Sequence, residues 1–115
     1  DPTVGFVYSS IRVVDTDGRT MHTKVNHQEN RLFTCEETIV DIIEFFMPIQ
    51  LAMARTDILK RLGGFDPQYG LFSDIHLWLS ITFDGWKAFY NSEPLSCHRV
   101  QWIIGTLHPS SKDYL

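Results

Sequence analysis

Cysteine is scarce in this chain: Cys35 and Cys97 are its only two among 115 residues. They stand far apart and lack metal-ligand spacing, which excludes a zinc ribbon or a scaffold stapled by several disulfides. Reduced thiols in an intracellular setting are the default reading, with a single disulfide left open. Basic charge is also short. Ten Lys and Arg stand against fourteen Asp and Glu, for a formal net charge of −4. No run concentrates the cations, and phosphate contact needs such a concentration, so a nucleic-acid partner is not expected. Long apolar runs are missing too. The most apolar stretch, Ile39 to Met53, is broken by Asp41, Glu44, Pro48 and Gln50. That leaves no segment near the roughly 20 apolar residues of a spanning helix. No signal-peptide pattern is present, so the expected location is cytoplasmic, with any contact to a membrane surface left to regions outside this sequence. The chain opens on Asp1-Pro2-Thr3 without an initiating Met, as a piece of a longer protein would.

What is abundant is core material. Hydrophobic residues make up 43% of the chain, with three Trp, eight Phe and four Tyr. Such a composition excludes disorder and suits one small domain with a modest core. Val4 to Ser9, VGFVYS, is rich in β-branched and aromatic residues and predicts a buried strand, which Ser10 to Val14 extends or follows with a second. Asp15-Thr16-Asp17-Gly18 is a turn, and Arg19 to Val25 returns from it as the second arm of a hairpin. The turn has the opening letters of a calcium loop, but Asn26 stands where the twelfth-position Glu belongs. Asn26 to Phe33 is polar and is expected as loop, with His22 and His27 as ordinary surface histidines.

Thr34 and Glu37 have capping-box spacing and open a helix to about Phe46. Its apolar face is expected at Ile39, Ile42, Ile43 and Phe46, with Asp41 and Glu44 turned outward. Pro48 stops that helix, and Ile49 to Ala54 follows as a short strand. Thr56 is expected to cap a helix through Leu62 that Gly63 closes. Asp66-Pro67 starts a turn. Ser73 is expected to cap the next helix, whose core side would hold Ile75, Leu79 and Thr82 beside Trp78, widened by Leu77 and Ile81. After Gly85, Trp86 to Tyr90 predicts a strand, Asn91 to Pro94 a turn, and Leu95 to Val100 a last strand. The alternation of strand, helix and Gly or Pro stop predicts one α/β unit.

Asp74 is the leading chemical candidate. It falls in the first turn of its helix, where the dipole favours a carboxylate, and it follows a loop that opens the helix to solvent. The plain alternative is that it only complements the helix dipole.

Several of these residues fall in a recognisable order. Val4-Gly5 to Tyr8, Asp15 to Gly18, Arg55, Gly63-Gly64-Phe65-Asp66, Ser73-Asp74 with Leu77-Trp78-Leu79, and Glu93-Pro94-Leu95 together resemble the second half of an inverting family 2 glycosyltransferase with the GT-A fold. The resemblance covers roughly residues 1 to 101, leaving 102 to 115 as a covering segment and tail. It implies a partial GT-A-like mixed sheet with flanking helices that lacks the N-terminal nucleotide-binding half.

It also implies a function. The parent protein would move a sugar from a nucleotide-diphosphate donor to a glycan or lipid acceptor hydroxyl, and the fragment alone would be inactive. Asp74 matches the family's catalytic base. Asp66, Phe65, Phe72 and Trp78 would line the acceptor side, although core packing is the stronger reading of Trp78. His98, Arg99 and Gln101 would lie near phosphate or metal. A divalent cation, Mg or Mn, is expected in the full-length parent and none in the fragment. Asp15-Thr16-Asp17 has the letters of the family's metal motif but matches the hairpin turn downstream of it.

Four positions depart from the pattern: Ser73 where an acidic residue precedes the base, His76 two residues after it, Ser80 in place of Arg, and Gln101 in place of His. Ser73, Ser80 and Gln101 motivate the alternative of a non-catalytic glycosyltransferase-like binding or assembly module. A plain α/β domain, its motifs serving only capping and packing, is the third reading. A sheet cut from its parent would expose an edge, so the fragment is expected to form a homo-oligomer, such as a dimer across that gap.

Overall fold

The first expected strand is the hub of the sheet, pairing with three others. β1 runs over Val4–Val14, so Ser10 to Val14 extends the strand instead of opening another. Asp15 then turns the chain: its Oδ1 accepts the backbone N–H groups of Asp17 and Arg19, both at 2.9 Å. β2, Thr20–Lys24, returns antiparallel to the distal end of β1. The structure, a computed structural model, describes residues 1–45 and 52–100. The expected helix end at Phe46, the stop at Pro48, the strand start at Ile49, and the whole of 101–115, with Gln101, lie outside the described residues.

The remaining elements are β3 (Arg31–Phe33), α1 (Cys35–Phe45), β4 (Ala52–Ala54), α2 (Thr56–Leu62), a 3₁₀ segment (Pro67–Phe72), α3 (Ser73–Phe83) and β5 (Lys87–Arg99). The sheet order is β2-β1-β5-β3, with β4 on the same edge of β1 as β2. β4 pairs with Phe6 to Tyr8 and β2 with Ile11 to Val14, while β5 lies parallel to β1 on its other side. The result is a compact α/β domain with a curled mixed sheet and flanking helices.

Register makes the sheet two-faced. On the inner face Ala54, Phe6, Ala88 and Phe33 form one row across β4, β1, β5 and β3. This row joins Ile42 of α1, Ile58 of α2 and Trp78 and Ile81 of α3 in the core. Gly5 permits the close approach of β1 to the α3–β5 junction. A Cβ at Gly5 would lie 2.6 Å from Trp86 Cβ and 2.8 Å from Ile81 Cγ2, distances that no packed carbon pair tolerates.

The caps divide into those that form as expected and those that do not. At α1 the capping box is complete: Glu37 N–H donates to Thr34 Oγ1 at 3.2 Å, and Thr34 N–H donates to Glu37 Oε1 at 3.3 Å. At the end of α2, Gly63 takes φ 85°, and the N–H groups of Gly63 and Gly64 return to Lys60 and Leu59 carbonyls. That is a Schellman closure. Thr56 does not cap α2, because the extended residue there is Arg55 and Thr56 is already helical. Ser73 does not cap α3 either. The 3₁₀ segment abuts that helix, so Ser73 already has φ −64° and ψ −30°, and a capping side chain needs a non-helical residue.

Three other expectations change. Asn26 to Phe33 is not all loop, since Arg31–Phe33 pairs antiparallel with β5. Asn91 to Pro94 is not a turn between two strands. It is an irregularity inside one thirteen-residue strand, where Ser9 faces Asn91 but Ser10 faces Pro94. The extra residues absorb a proline that has no N–H for the ladder. The buried face of α3 is centred on Leu77, Trp78, Ile81 and Thr82, with Ile75 and Leu79 at its margin.

Candidate functional site

Asp74 sits in the first turn of α3, half-buried. Its Oδ1 accepts the N–H of Ile75 at 2.8 Å. The turn Asp84-Gly85-Trp86 reverses the chain tightly: Gly85 has φ 99° and its N–H donates to Thr82 O. α3 therefore runs back along β5, and its N-terminus points toward the carboxyl ends of the parallel pair β1 and β5. Open α/β sheets collect their ligands at that end.

The loop before Asp74 presents apolar side chains to solvent. Phe65, Tyr69, Leu71 and Phe72 are all exposed, Phe72 by 61%. Phe65 meets Trp78 edge-on, with ring centroids 6.5 Å apart. Trp78 itself is 2% exposed and stacks on Phe6 at 5.2 Å. It is core, and it contributes to the loop only as the floor beneath Phe65. Asp66 is a local structural group: its Oδ1 accepts the N–H of Gln68 at 3.0 Å and caps the 3₁₀ segment. Phe65 and Phe72 are thus available on the loop surface, Asp66 is engaged in shaping it, and Trp78 is withdrawn below it.

His76, one of the departures in sequence, is part of this region. Tyr69 lies over its imidazole at 4.0 Å between centroids and 14° between planes. Its Nδ1 is buried without a hydrogen-bond partner among the described residues. Ser80, where the resemblance calls for Arg, donates its hydroxyl to His76 O at 2.7 Å. That bond is internal to the helix. His98 and Arg99 are exposed at the far end of β5.

A second polar cluster escaped the sequence reading. Asp41, expected on the outer face of α1, is 3% exposed. Tyr8 donates its hydroxyl to Asp41 Oδ2, and His27 Nε2 lies 2.5 Å from Asp41 Oδ1. Beside them Tyr90 OH lies 2.5 Å from Ser10 Oγ and accepts the N–H groups of Asn26 and His27. Burial first, then the hydrogen bond and charge of Asp41, with Tyr90 adding to them, push the Tyr8 phenol above its ordinary range and keep it protonated. The face of α1 is rotated accordingly: Ile43, assigned to the core, is 73% exposed, and Thr38, Asp41 and Ile42 point inward. The only sequence signal for this was a polar loop containing a histidine, and no local pattern tells Asp41 from Glu44.

Cys35 and Cys97 are free thiols; Cys35 Sγ donates to Trp86 O at 3.5 Å. Among the described residues no three His, Cys, Asp or Glu side chains converge as a metal site. No described helix is long and apolar enough to cross a membrane. No protein-family model matches the chain, and no curated protein does.

Proposed function

We propose that this chain is the acceptor-side portion of a GT-A-type inverting glycosyltransferase and that Asp74 is its general base. The observation carrying the reading is the placement of one half-buried carboxylate at the N-terminus of α3, next to an exposed aromatic loop and toward the carboxyl ends of parallel strands. An acceptor hydroxyl is a poor nucleophile until a carboxylate takes its proton during attack. In the proposed step the acceptor oxygen bonds to the anomeric carbon from the face opposite the diphosphate. The carbon–oxygen bond to the diphosphate breaks, its electron pair leaves on the diphosphate, and the hydroxyl proton passes to Asp74. One displacement inverts the centre.

Phe65 and Phe72 offer apolar surface for the carbon face of the acceptor, and Asp66 holds the loop that carries them. The expected Mg or Mn, and the nucleotide, belong in the proposal to the donor half of a longer protein.

The test is nucleotide-sugar turnover by that longer protein, compared with its Asp74→Asn variant. The expected result is a drop of about 10²- to 10⁴-fold, the usual contribution of a general base, with donor binding unchanged. Equal rates in the two proteins would remove Asp74 from its role. The second reading, a non-catalytic binding or assembly module, is favoured by Ser80 spending its hydroxyl on His76 O where an Arg is expected. It takes over if the longer protein binds glycan but transfers no sugar from any nucleotide donor.

A further inference from the structure

The segment between α2 and α3 is tied to the rest of the molecule by two ring contacts. Residues 65–72 include no buried side chain. Their hydrogen bonds among the described residues are local. Asp66 accepts the N–H of Gln68 on its carboxylate and that of Tyr69 on its carbonyl, and Gly70 O accepts the N–H of Ser73. Glycines with positive φ stand toward both ends: Gly63 at 85° and Gly64 at 69° before the segment, Gly70 at 54° near its exit. At such positions the chain changes direction with little strain. What holds the segment down is Phe65, edge-on to Trp78, and Tyr69, flat against His76.

The second of these contacts works in two directions. The rings of Tyr69 and His76 lie 4.0 Å apart and nearly parallel, and stacking favours that arrangement. Yet His76 Nδ1 is buried with no hydrogen-bond partner among the described residues. In water that nitrogen would be solvated, and here it has lost its water and gained nothing in exchange. Stacking and desolvation are terms of similar size and opposite sign. A segment balanced in this way, with few buried contacts, opens locally far more readily than the domain unfolds.

We propose that residues 65–72 form a flap that swings on Gly63-Gly64 and Gly70, latched by Tyr69 on His76 and released when water reaches His76 Nδ1. Open, the flap uncovers the rings of Trp78 and His76 on α3, the helix that carries Asp74. The flap does not rest on the glycosyltransferase reading, since it follows from the ring contacts and the orphaned nitrogen alone.

Hydrogen exchange at single amides of the full chain tests it. The amides of Gln68, Tyr69 and Ser73 should exchange about 100-fold faster than those of Ile81 and Ala88, at rates that urea leaves unchanged below the unfolding transition. Rates that rise with urea as the core amides do would mean that the segment opens only with the whole domain, and would overturn the flap. Two variants separate a latched flap from a loop that merely lies on the surface. His76→Phe keeps a ring beneath Tyr69 and removes the orphaned nitrogen, so Gln68 and Ser73 should exchange about tenfold more slowly. Tyr69→Ala removes the latch, so the same two amides should exchange about threefold faster or more. Continued protection at Ile81 and Ala88 certifies that each variant is folded. Any result other than shifts of opposite sign in the two variants overturns the proposal.

Discussion

Two aspartates on two helices show what a fold does with a carboxylate. Asp41 of α1 is buried and receives the Tyr8 hydroxyl and His27. Asp74 of α3 is half-buried, and one of its oxygens takes a neighbouring amide of its own turn. A buried carboxylate survives only when partners replace its water, so Asp41 is committed to holding β1, α1 and the 26–30 loop together. Asp74 stands at a helix end with solvent beside it. The first is built for cohesion, and the second is only half-buried.

Exchanging the readouts of the two is the strongest way to break that comparison. On the proposed function, Asp74→Asn should lower the parent protein's turnover about 10²- to 10⁴-fold with its urea midpoint unchanged. A midpoint that falls with turnover would make Asp74 another cohesive carboxylate. Asp41→Ala should do the reverse. It strands the buried Tyr8 hydroxyl and leaves the partly exposed His27 without its carboxylate, and urea denaturation should show a loss of about 3 kcal/mol. A loss under about 0.5 kcal/mol, the level of an ordinary surface change, would mean that Asp41 holds nothing together.

Gly5→Ala sharpens the contrast between close packing and open loop. The added carbon meets Trp86 and Ile81 well inside contact distance, and overpacking of this kind costs about 1–3 kcal/mol. Alanine at the exposed loop position Phe72 should leave thermal unfolding almost unmoved. The smallest effect compares two hydroxyls that look alike in sequence. Thr34→Ala removes a cap that forms and should cost about 1 kcal/mol. Ser73→Ala removes one that does not, and calorimetry should find its melting temperature within error of the parent.

Much of the architecture was legible. β1, its hairpin with β2, the capping box at Thr34, the Gly63 closure and the Gly85 stop each depend on residues within a few positions of one another. The misses are of another kind. β3 is three residues long, and it forms because β5 offers an edge. Asn91 to Pro94 looks like a turn locally, but pairing with β1 pulls it straight. Ser73 has a capping residue's chemistry and loses the role because the 3₁₀ segment before it is already helical. At the candidate site, Asp74 and the Phe65–Phe72 loop could be named from sequence, whereas the withdrawal of Trp78 beneath Phe65 and the stacking of Tyr69 on His76 depend on how α3 is rolled against the sheet.

The amino-acid order by itself determined the α/β class, the hairpin, the helix ends and the presence of a carboxylate at the start of α3, because these follow from short-range sterics and hydrogen bonding. Only the tertiary structure decided which side of α1 is inside. Ile43 is more apolar than Asp41, yet the aspartate is buried, since Tyr8 from β1 and His27 from a distant loop arrive there with hydrogen bonds to offer. No local pattern carries that information: burial of a charge is settled by the partners that long-range folding brings to it.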